Sequence, residues 1–248
     1  NNNYKISPAE FNIWMRLLTK VEGSVLWLLK SNKFSEHNFR LEAEKRGVKS
    51  DRLIFANILS QAEHLARHRH ADLFIDTFNY NAHTSASDSL WAGLPVITKL
   101  GQGFAARVAG SLLKAVGLPE LVTKTEQDYE SLILDLATNP SKLIKIKEKL
   151  AANRLSKPLF DTELYTKHLE NSYQQAYQNY FDGKPPETII VQKWIIDTVE
   201  RTTTHQHLFL PKNYSGFPTA SLYTPWTEAA VQTHLAIGWG EGAITETT

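Results

Sequence analysis

Short apolar runs alternate along the first two thirds of the chain with longer stretches whose apolar residues recur every three or four positions. The short runs fall at residues 25–29, 52–55, 72–76 and 95–98, and their near-continuous apolar character is typical of strands in a parallel sheet. The periodic stretches predict helices at residues 8–21, 35–46, 61–70, 84–92, 104–116, 126–137 and 141–153. This alternation predicts an α/β fold, with a Rossmann-like, doubly wound parallel sheet and helices on both of its faces.

Capping residues and glycines mark the ends of several predicted helices. Ser7 and Pro8, with a glutamate three residues after the serine, predict a capping box with proline in the first helical position. Ser60 predicts the start of the helix at residue 61. Gly47 and Gly93 follow the last periodic residues of two further helices, where a left-handed backbone is common.

The sequence changes character near residue 182. Before this point, one apolar and aromatic stripe predicts a long helix at about residues 162–181, and simple packing on the preceding domain is its favoured interpretation. We therefore predict one Rossmann-like domain at residues 1–186 and an irregular C-terminal extension of unknown role at residues 187–248. His205 and His207 in that extension have a metal-like spacing, but no third ligand is evident, so we interpret them as part of a loop.

Composition excludes several classes of protein. The 27 Lys and Arg residues nearly balance the 26 Asp and Glu residues, so the net charge of +1 points neither to nucleic acid nor to an anionic membrane as a partner. The chain has no cysteine, which excludes a disulfide scaffold, a thiolate metal site and a cysteine nucleophile. No apolar run approaches the ~18 residues of a membrane span, and no signal peptide is recognisable, so we expect a cytoplasmic protein. Because the sequence starts with Asn1, we expect it to begin inside a longer polypeptide.

The most informative segment for function is residues 71–96, where a strand ends at Asp76 and a helix opens after a loop. Ligands bind beyond the carboxyl ends of strands in open parallel sheets, and the free N–H groups of a helix's first turn bind phosphate oxygens. Thr84 and Ser85 add hydroxyl groups there, and Asp88 lies one turn further on the same face, where it could accept a hydrogen bond from a ribose. In the alternative interpretation Thr84 caps the helix and Asp88 complements its dipole. The spacing alone leaves both open.

A second segment places His64 and Arg67 three residues apart on one helix face. A flat imidazole and a guanidinium suit a planar base and a phosphate. Spacing alone nevertheless favours a solvated basic face, because further basic residues follow at positions 68–70. Lys5 precedes the first helix, and it would matter for function only if this part of the chain reaches the same cleft.

Taken together, these segments resemble the C-terminal catalytic half of the O-linked N-acetylglucosamine (O-GlcNAc) transferase family. The resemblance covers about residues 1–186 and follows the family's order of motifs, which here read YKISP, SVLWLLK, RLIF, EHLAR, ADLFIDT, HTSASDSLWAGLPV and SKPLFDTELYTKHLE. It implies the C-terminal, donor-binding domain of a GT-B glycosyltransferase. The family transfers GlcNAc from UDP-GlcNAc to Ser or Thr hydroxyls of proteins with inversion at the sugar, and it requires neither a metal nor another cofactor.

The resemblance assigns ten residues to the donor site: Asn2, Lys5, Leu59, Gln61, His64, Arg67, His83, Thr84, Ser85 and Asp88. It implies that Lys5 contacts the diphosphate and acts in catalysis, and that His64 stacks on the uracil with support from Arg67. It further implies that residues 83–85 hold the phosphates and that Asp88 contacts the ribose. Lys5 and the helix N-terminus would stabilise the charge that develops on the departing UDP.

The chain departs from the family pattern at two of these positions. Gln61 stands where the family often has Lys, and Asn2 stands where many members have Gln. Both departures touch the donor pocket, so two alternatives stay open: a protein O-fucosyltransferase of the SPINDLY type that uses GDP-fucose, and a non-catalytic nucleotide-binding fragment. The N-terminal Rossmann half and the tetratricopeptide repeats of the family have no counterpart here. We therefore predict that the isolated chain binds nucleotide weakly and catalyses little or nothing.

Overall fold

A computed structural model of the protein describes residues 2–191. The helices in this range are α1 (Pro8–Lys20), α2 (Lys33–Glu44), α3 (Gln61–Arg67), α4 (Thr84–Trp91), α5 (Val108–Ala115), α6 (Glu126–Thr138), α7 (Pro140–Arg154) and α8 (Thr162–Phe181). The strands are β1 (Leu26–Leu29), β2 (Leu53–Ala56), β3 (Phe74–Ile75), β4 (Val96–Lys99) and β5 (Val122–Thr123). Each observed strand pair is parallel, which confirms the predicted α/β class.

The strands form two sheets, with an interruption between β1 and β3. One sheet contains β1 and β2, with Leu26 opposite Leu53, and the other has the order β3-β4-β5, with Phe74 opposite Val96. Within the described part of the chain, β1 and β3 are therefore edge strands. The apolar runs predicted the strands themselves, but they carried no signal for this break.

Side-chain caps explain where the first two helices begin. The predicted capping box of α1 is confirmed, because the backbone N–H of Ser7 donates to Glu10 Oε1 at 3.0 Å. Helix α2 begins two residues earlier than the periodicity predicts, since Asn32 Oδ1 accepts the backbone N–H groups of Phe34 and Ser35 at 3.1 and 2.9 Å. Satisfying two donors of the first turn in this way fixes the start of the helix.

Other element boundaries differ from the sequence prediction by a few residues. Helix α3 ends at Arg67, and a 3₁₀ turn, His68–His70, takes up the rest of the predicted helix. Strand β3 has only two residues, and a bend at Asp72 precedes it. Strand β5 was not predicted, since two residues carry no readable period. Gly93 confirms its predicted role with φ of +85° directly after α4.

Helix α1 packs against α6, and hydrogen bonds link these two helices to the end of β3. Trp14, Tyr129 and Ile133 are buried between these helices and the sheet. The indole N–H of Trp14 donates to the hydroxyl of Tyr129 at 3.1 Å, and that hydroxyl donates to the backbone carbonyl of Asp76 at 2.8 Å. A buried hydrogen-bond chain thus fixes the point where β3 gives way to the functional loop.

The chain divides into two units, Asn1–Thr162 and Glu163–Thr248. The structure confirms the long helix near residues 162–181, and the packing of this helix on the domain stays a prediction. The predictions for the extension, including the loop with His205 and His207, fall mainly on residues 192–248, outside the described residues. Among residues 2–191, no helix is long and apolar enough to cross a membrane.

Candidate functional site

A cavity of about 720 Å³ lies along the interruption between β1 and β3. Five of the ten predicted site residues line it, together with apolar residues of the two strands; these five are Asn2, Lys5, His64, Arg67 and Ser85. They come from three separate places in the sequence: the segment before α1, helix α3 and the first turn of α4. The fold therefore brings together groups that the sequence predicted to share a cleft.

Within residues 2–191, the residue at the cap position of α4 does not cap the helix with its side chain. His83 occupies the cap position, and its side chain makes no capping hydrogen bond. Its carbonyl accepts the N–H groups of Ala86 and Ser87, both at 3.1 Å. Thr84 is exposed and does not cap the helix, so that alternative interpretation of Thr84 is wrong. The first turn carries the positive end of the helix dipole and N–H donors available to an anion.

Asp76 organises the loop that leads into α4. Its carboxylate is completely buried, and Oδ1 accepts the backbone N–H groups of Thr77 and Ala82 at 2.8 and 2.7 Å. Its other oxygen, Oδ2, accepts the hydroxyl of Thr98 on β4 at 2.8 Å. One side chain therefore closes the loop across residues 77–82 and ties it to the central strand of its sheet.

Aromatic rings surround His83 at the mouth of α4. The ring of Tyr80 stacks on His83 with centroids 4.8 Å apart, and Phe104 meets the imidazole edge-on at 6.2 Å. Lys5 Nζ lies 3.9 Å from the centroid of the Tyr80 ring, which places this cation beside the same loop. Burial lowers the pKa of His83, and the nearby Lys5 lowers it further against the opposing hydrogen bond to Ala105.

The protonation of His83 follows from its hydrogen bond. Its Nε2 lies 3.2 Å from the carbonyl oxygen of Ala105. Because a carbonyl oxygen only accepts, Nε2 carries the proton, and Nδ1 of the neutral ring is unprotonated and able to accept a hydrogen bond. The imidazole is thus held in one tautomer beside the open helix end.

His64 and Arg67 form a pair on α3. The Nε–H and Nη2–H groups of Arg67 donate to His64 Nδ1 at 3.1 and 2.7 Å, and Nη1 donates to the carbonyl of Asn57 at 2.7 Å. The guanidinium also lies 5.5 Å from the ring of Trp27 on β1. Since Nδ1 accepts, the proton of the neutral imidazole resides on Nε2. The ring is thereby fixed and presents a polar N–H at its other edge.

The His64 imidazole is neutral at physiological pH. The pKa of His64 is lowered from 6.5 to about 4, mainly by burial and to a lesser extent by the neighbouring His68 and Arg67. A neutral ring suits stacking against a planar base better than a hydrated cation does. Among the basic residues at positions 64–70, only Arg69 and His70 are exposed, so the solvated basic face that spacing favoured describes these two residues and not the His64–Arg67 pair.

His68 lies between the α3 and α4 sides of the site. It is 9% exposed, its ring meets that of His64 edge-on at 4.6 Å, and its Nδ1–H donates to the backbone carbonyl of His64 at 2.7 Å. Burial raises the pKa of Asp88, and the charge of the nearby His68 acts in the opposite direction. Asp88 is thus a half-buried carboxyl close to His68.

The remaining predicted residues lie outside the cavity lining. Leu59 and Gln61 are exposed around the start of α3, where Ser60 and Glu63 form a capping box. His83, Thr84 and Asp88 belong to the α4 side but are not among the residues that line the cavity. Roles for these five residues stay predictions.

Sequence reasoning missed several residues of this region. Asp76 was noted only as the end of a strand, while Tyr80 and Trp27 were given no role. A lone acidic residue that closes an apolar strand just before a loop is a usable signal for Asp76, because such a carboxylate needs donors when buried. No pattern in the sequence indicated that Tyr80 joins Lys5 to His83. Among residues 2–191, no group of three or more His, Asp or Glu side chains is placed to hold a metal ion.

These features define a class of protein. A parallel α/β domain with a cleft beside a helix N-terminus that its own cap residue leaves uncapped has the form of a nucleotide-binding domain. The model of glycosyl transferase family 41 matches residues 1–169, and the chain belongs to this family. The resemblance found in the sequence is thereby confirmed.

Two curated relatives illustrate the match. The chain is 39% identical over 188 residues to an Arabidopsis thaliana protein named "Probable UDP-N-acetylglucosamine–peptide N-acetylglucosaminyltransferase SEC", covering 75% of this chain and 19% of the relative. It is 36% identical over 189 residues to the Caenorhabditis elegans UDP-N-acetylglucosamine–peptide N-acetylglucosaminyltransferase, covering 76% and 16% respectively. The chain thus spans less than a fifth of the length of these relatives.

A solved structure shows the same fold. A mutant of the Thermobaculum terrenum O-GlcNAc transferase superposes with a TM-score of 0.70 at 27% sequence identity. The match covers 74% of this chain and 36% of that protein. The α/β assignment and the family assignment therefore agree with an experimental structure.

Proposed function

We propose that this chain is the donor-binding half of an inverting protein O-GlcNAc transferase, which moves GlcNAc from UDP-GlcNAc to Ser or Thr hydroxyls. One observation carries the proposal: the uncapped first turn of α4 shares a cavity with Lys5 and with the His64–Arg67 pair. This arrangement offers separate places for an anionic diphosphate and a planar base. The names of the curated relatives support the same donor.

The diphosphate would bind at the amino end of α4. Ser85 lines the cavity and offers a hydroxyl, while backbone N–H groups of the first turn offer further donors. Lys5 lines the same cavity and supplies a full positive charge on a flexible stem. A charge-assisted hydrogen bond of this kind contributes about 1.5–3 kcal/mol.

The base would lie against His64. Arg67 holds the imidazole in one tautomer, and the depressed pKa of His64 keeps the ring neutral, so it offers a flat face. Stacking of a base on an aromatic ring contributes about 1–3 kcal/mol. Asp88, on the α4 side, is placed near His68 and is the candidate for the ribose hydroxyls.

The chemistry assigned to these residues is stabilisation of the leaving group. In an inverting transfer the acceptor hydroxyl oxygen forms a bond to the anomeric carbon while the bond from that carbon to the β-phosphate oxygen breaks. The electron pair of the broken bond goes to the diphosphate, and the acceptor proton goes to a base that we place outside this chain. Lys5 and the dipole of α4 would stabilise the charge that develops on UDP. On this proposal no metal is required.

Calorimetric titration with UDP tests the site. We expect Lys5→Ala and His64→Ala each to weaken UDP binding at least about fivefold, because each removes an interaction of at least ~1 kcal/mol. Lys114→Ala and His37→Ala are matched controls on exposed faces of α5 and α2, and we expect unchanged affinity. Circular dichroism of all four variants checks that they fold. Unchanged UDP affinity in both site variants would overturn the site assignment.

The same titration discriminates the alternatives. The two departures from the family pattern, Asn2 and Gln61, both belong to the predicted donor site, so competition between UDP and GDP decides which nucleotide the pocket prefers. We expect UDP to win and the isolated chain to transfer sugar slowly or not at all. Preference for GDP would favour the fucosyltransferase alternative, and robust glycosylation by the chain alone would contradict the assignment of the acceptor base to another part of the protein.

A further inference from the structure

The side chains of Lys5, Tyr80 and His83 are stacked at the mouth of α4. The centroids of the Tyr80 and His83 rings are 4.8 Å apart, and the two rings are 21° from parallel. Lys5 Nζ lies 3.9 Å from the centroid of the Tyr80 ring, inside the ~6 Å over which an aromatic ring attracts a cation. Burial lowers the pKa of His83, and the charge of Lys5 also lowers it, which agrees with an ammonium close to the imidazole. Because His83 occupies the cap position of α4, the stack keeps the ammonium beside the helix end.

The backbone that carries Tyr80 is fixed by the buried part of the loop. The carbonyl of Tyr80 accepts the hydroxyl of Thr77 at 2.6 Å, and the backbone N–H of Thr77 donates to the buried carboxylate of Asp76 at 2.8 Å. The following residue, Asn81, is completely buried and donates its backbone N–H to the carbonyl of Ala105 at 2.9 Å. The side-chain amide of Asn81 donates to the carbonyl of Thr77 at 2.7 Å. The core therefore holds the loop from which the Tyr80 ring projects.

The Tyr80 ring differs from a carboxylate in what it does to a cation. A ring attracts an ammonium through its quadrupole but carries no net charge, so it does not neutralise the lysine that an anionic ligand would need. A lysine side chain loses rotamer freedom when it is fixed on a ligand, and a contact that restricts it beforehand reduces this cost of binding. Tyr80 is thus suited to restrict Lys5 while the full positive charge of the ammonium is kept.

We propose that Tyr80 is a positioning residue for Lys5, whose ammonium the Tyr80 ring holds beside the amino end of α4 for the diphosphate of the donor. The inference rests on the proposed function for the identity of the ligand. It adds a residue that neither the spacing nor the resemblance assigns to the site. Tyr80 acts through Lys5 and not on the nucleotide itself, and this distinction determines the tests.

The first test asks whether the ring holds Lys5 in solution, and it needs no nucleotide. In the full chain with isotope-labelled lysine, NMR measures the ε-methylene protons of Lys5, which a ring current shifts upfield when they lie over the face of a ring. Lys5→Met assigns the signal because it removes it. We expect the upfield shift in the wild type and in Tyr80→Phe, and its loss in Tyr80→Leu. An unshifted signal in the wild type would overturn the proposal.

The second test measures UDP binding by calorimetry. We expect Tyr80→Leu to weaken UDP binding about threefold, which is less than the loss in Lys5→Ala because the charge remains. Tyr80→Phe keeps the ring and should bind UDP like the wild type. In a Lys5→Met background, the further change Tyr80→Leu should leave the affinity unchanged, since the residue through which Tyr80 acts is gone. A role of Tyr80 in folding alone would not produce this dependence on Lys5.

Three outcomes of the binding test would overturn the proposal. Tighter binding by Tyr80→Leu would mean that the ring withdraws the ammonium from the ligand. An equal loss with and without Lys5 would mean that Tyr80 acts on the nucleotide directly or through His83. A loss in Tyr80→Phe as large as that in Tyr80→Leu would assign the effect to the hydroxyl group.

The matched control is Phe34→Leu on α2. Phe34 is exposed and its ring lies 5.3 Å from Lys33 Nζ, so the variant removes a contact of the same kind away from the residues that line the cavity. It should leave UDP affinity unchanged, and circular dichroism checks the folding of every variant. If the wild type bound no UDP, the proposed function would fail, and the NMR signal of Lys5 would still decide whether Tyr80 positions the ammonium.

Discussion

The α4 side and the α3 side of the cavity are held by different kinds of contact. The loop before α4 is tied to the core by the completely buried carboxylate of Asp76 and, through the Asp76 carbonyl, by Tyr129 and Trp14. Helix α3 has no buried residue, and Arg67, which also holds His64 on the same helix, contacts Asn57 and Trp27 outside it. The proposed phosphate side is thus part of the domain core, whereas the proposed base side is a local surface structure.

This difference separates two requirements of a nucleotide-sugar site. Stabilising charge on a leaving diphosphate demands donors that do not reorganise, and a helix end fixed by buried hydrogen bonds meets that demand. Recognition of the base needs only a positioned ring and a few polar atoms, which a surface helix can supply. Changes on α3 are therefore expected to alter nucleotide affinity at little cost in stability, and changes around Asp76 are expected to do the reverse.

The largest expected effect is that of Asp76→Ala. The substitution leaves two backbone N–H groups and the Thr98 hydroxyl without their acceptor in a buried site, so we expect the free energy of unfolding to fall by about 3–5 kcal/mol. Urea denaturation measures the change. Asp72→Ala is the matched control, because Asp72 is exposed and its ion pair with Lys147 contributes at most ~1 kcal/mol. Equal losses in the two variants would show that the Asp76 network does not hold the loop.

An intermediate effect is expected for Arg67→Lys. Lysine cannot donate to His64 Nδ1 and to the Asn57 carbonyl in the fixed geometry of a guanidinium, so the imidazole loses its orientation. We expect UDP affinity to fall by about 1–2 kcal/mol, while stability changes by less than about 1 kcal/mol. Calorimetry and urea denaturation on the same samples separate the two quantities.

The neighbouring Arg69 supplies the control for this variant. Arg69 is exposed one residue after His68, and Arg69→Lys should change neither quantity. A double variant of Arg67→Lys with His64→Ala tests the route of the effect, because Arg67 should matter little once the ring is gone. Additive losses of affinity would instead mean that Arg67 contacts the nucleotide independently of His64.

The contrast between the two sides also explains what the sequence could predict. Capping signals predicted the start of α1, and the small polar residues after His83 predicted the opening of α4, because both depend on local backbone chemistry. The cleft followed from the order of strands and helices. The role of Asp76 depends on Thr98, which lies 22 positions away, and no local pattern encodes that contact. Likewise, apolar runs do not specify which strand edge remains unpaired, so the break between β1 and β3 was not predicted.

The smallest expected effect is a pH dependence that originates on the α3 side. The pKa of His64 is about 4 in the folded protein, mainly because of burial, against 6.5 as its ordinary value. Between these two pH values the unfolded chain binds the proton more readily than the folded chain does. The contribution of His64 to the free energy of unfolding is therefore fully present above about pH 6.5, and it is lost as the pH falls toward 4. Since His64 is only half-buried, solvent screening limits the contribution to about 1 kcal/mol.

The variant His64→Gln isolates this contribution. Glutamine keeps an acceptor for Arg67 but does not titrate, so the decline in Tm between pH 7 and pH 4.5 should be smaller than in the wild type by about 2–4 °C. His37→Gln, on the exposed face of α2, should follow the wild-type curve. If His64→Gln declined as steeply as the wild type, the imidazole would have to be solvated in the folded protein. The α3 side would then lack the fixed neutral ring that the proposed base site requires.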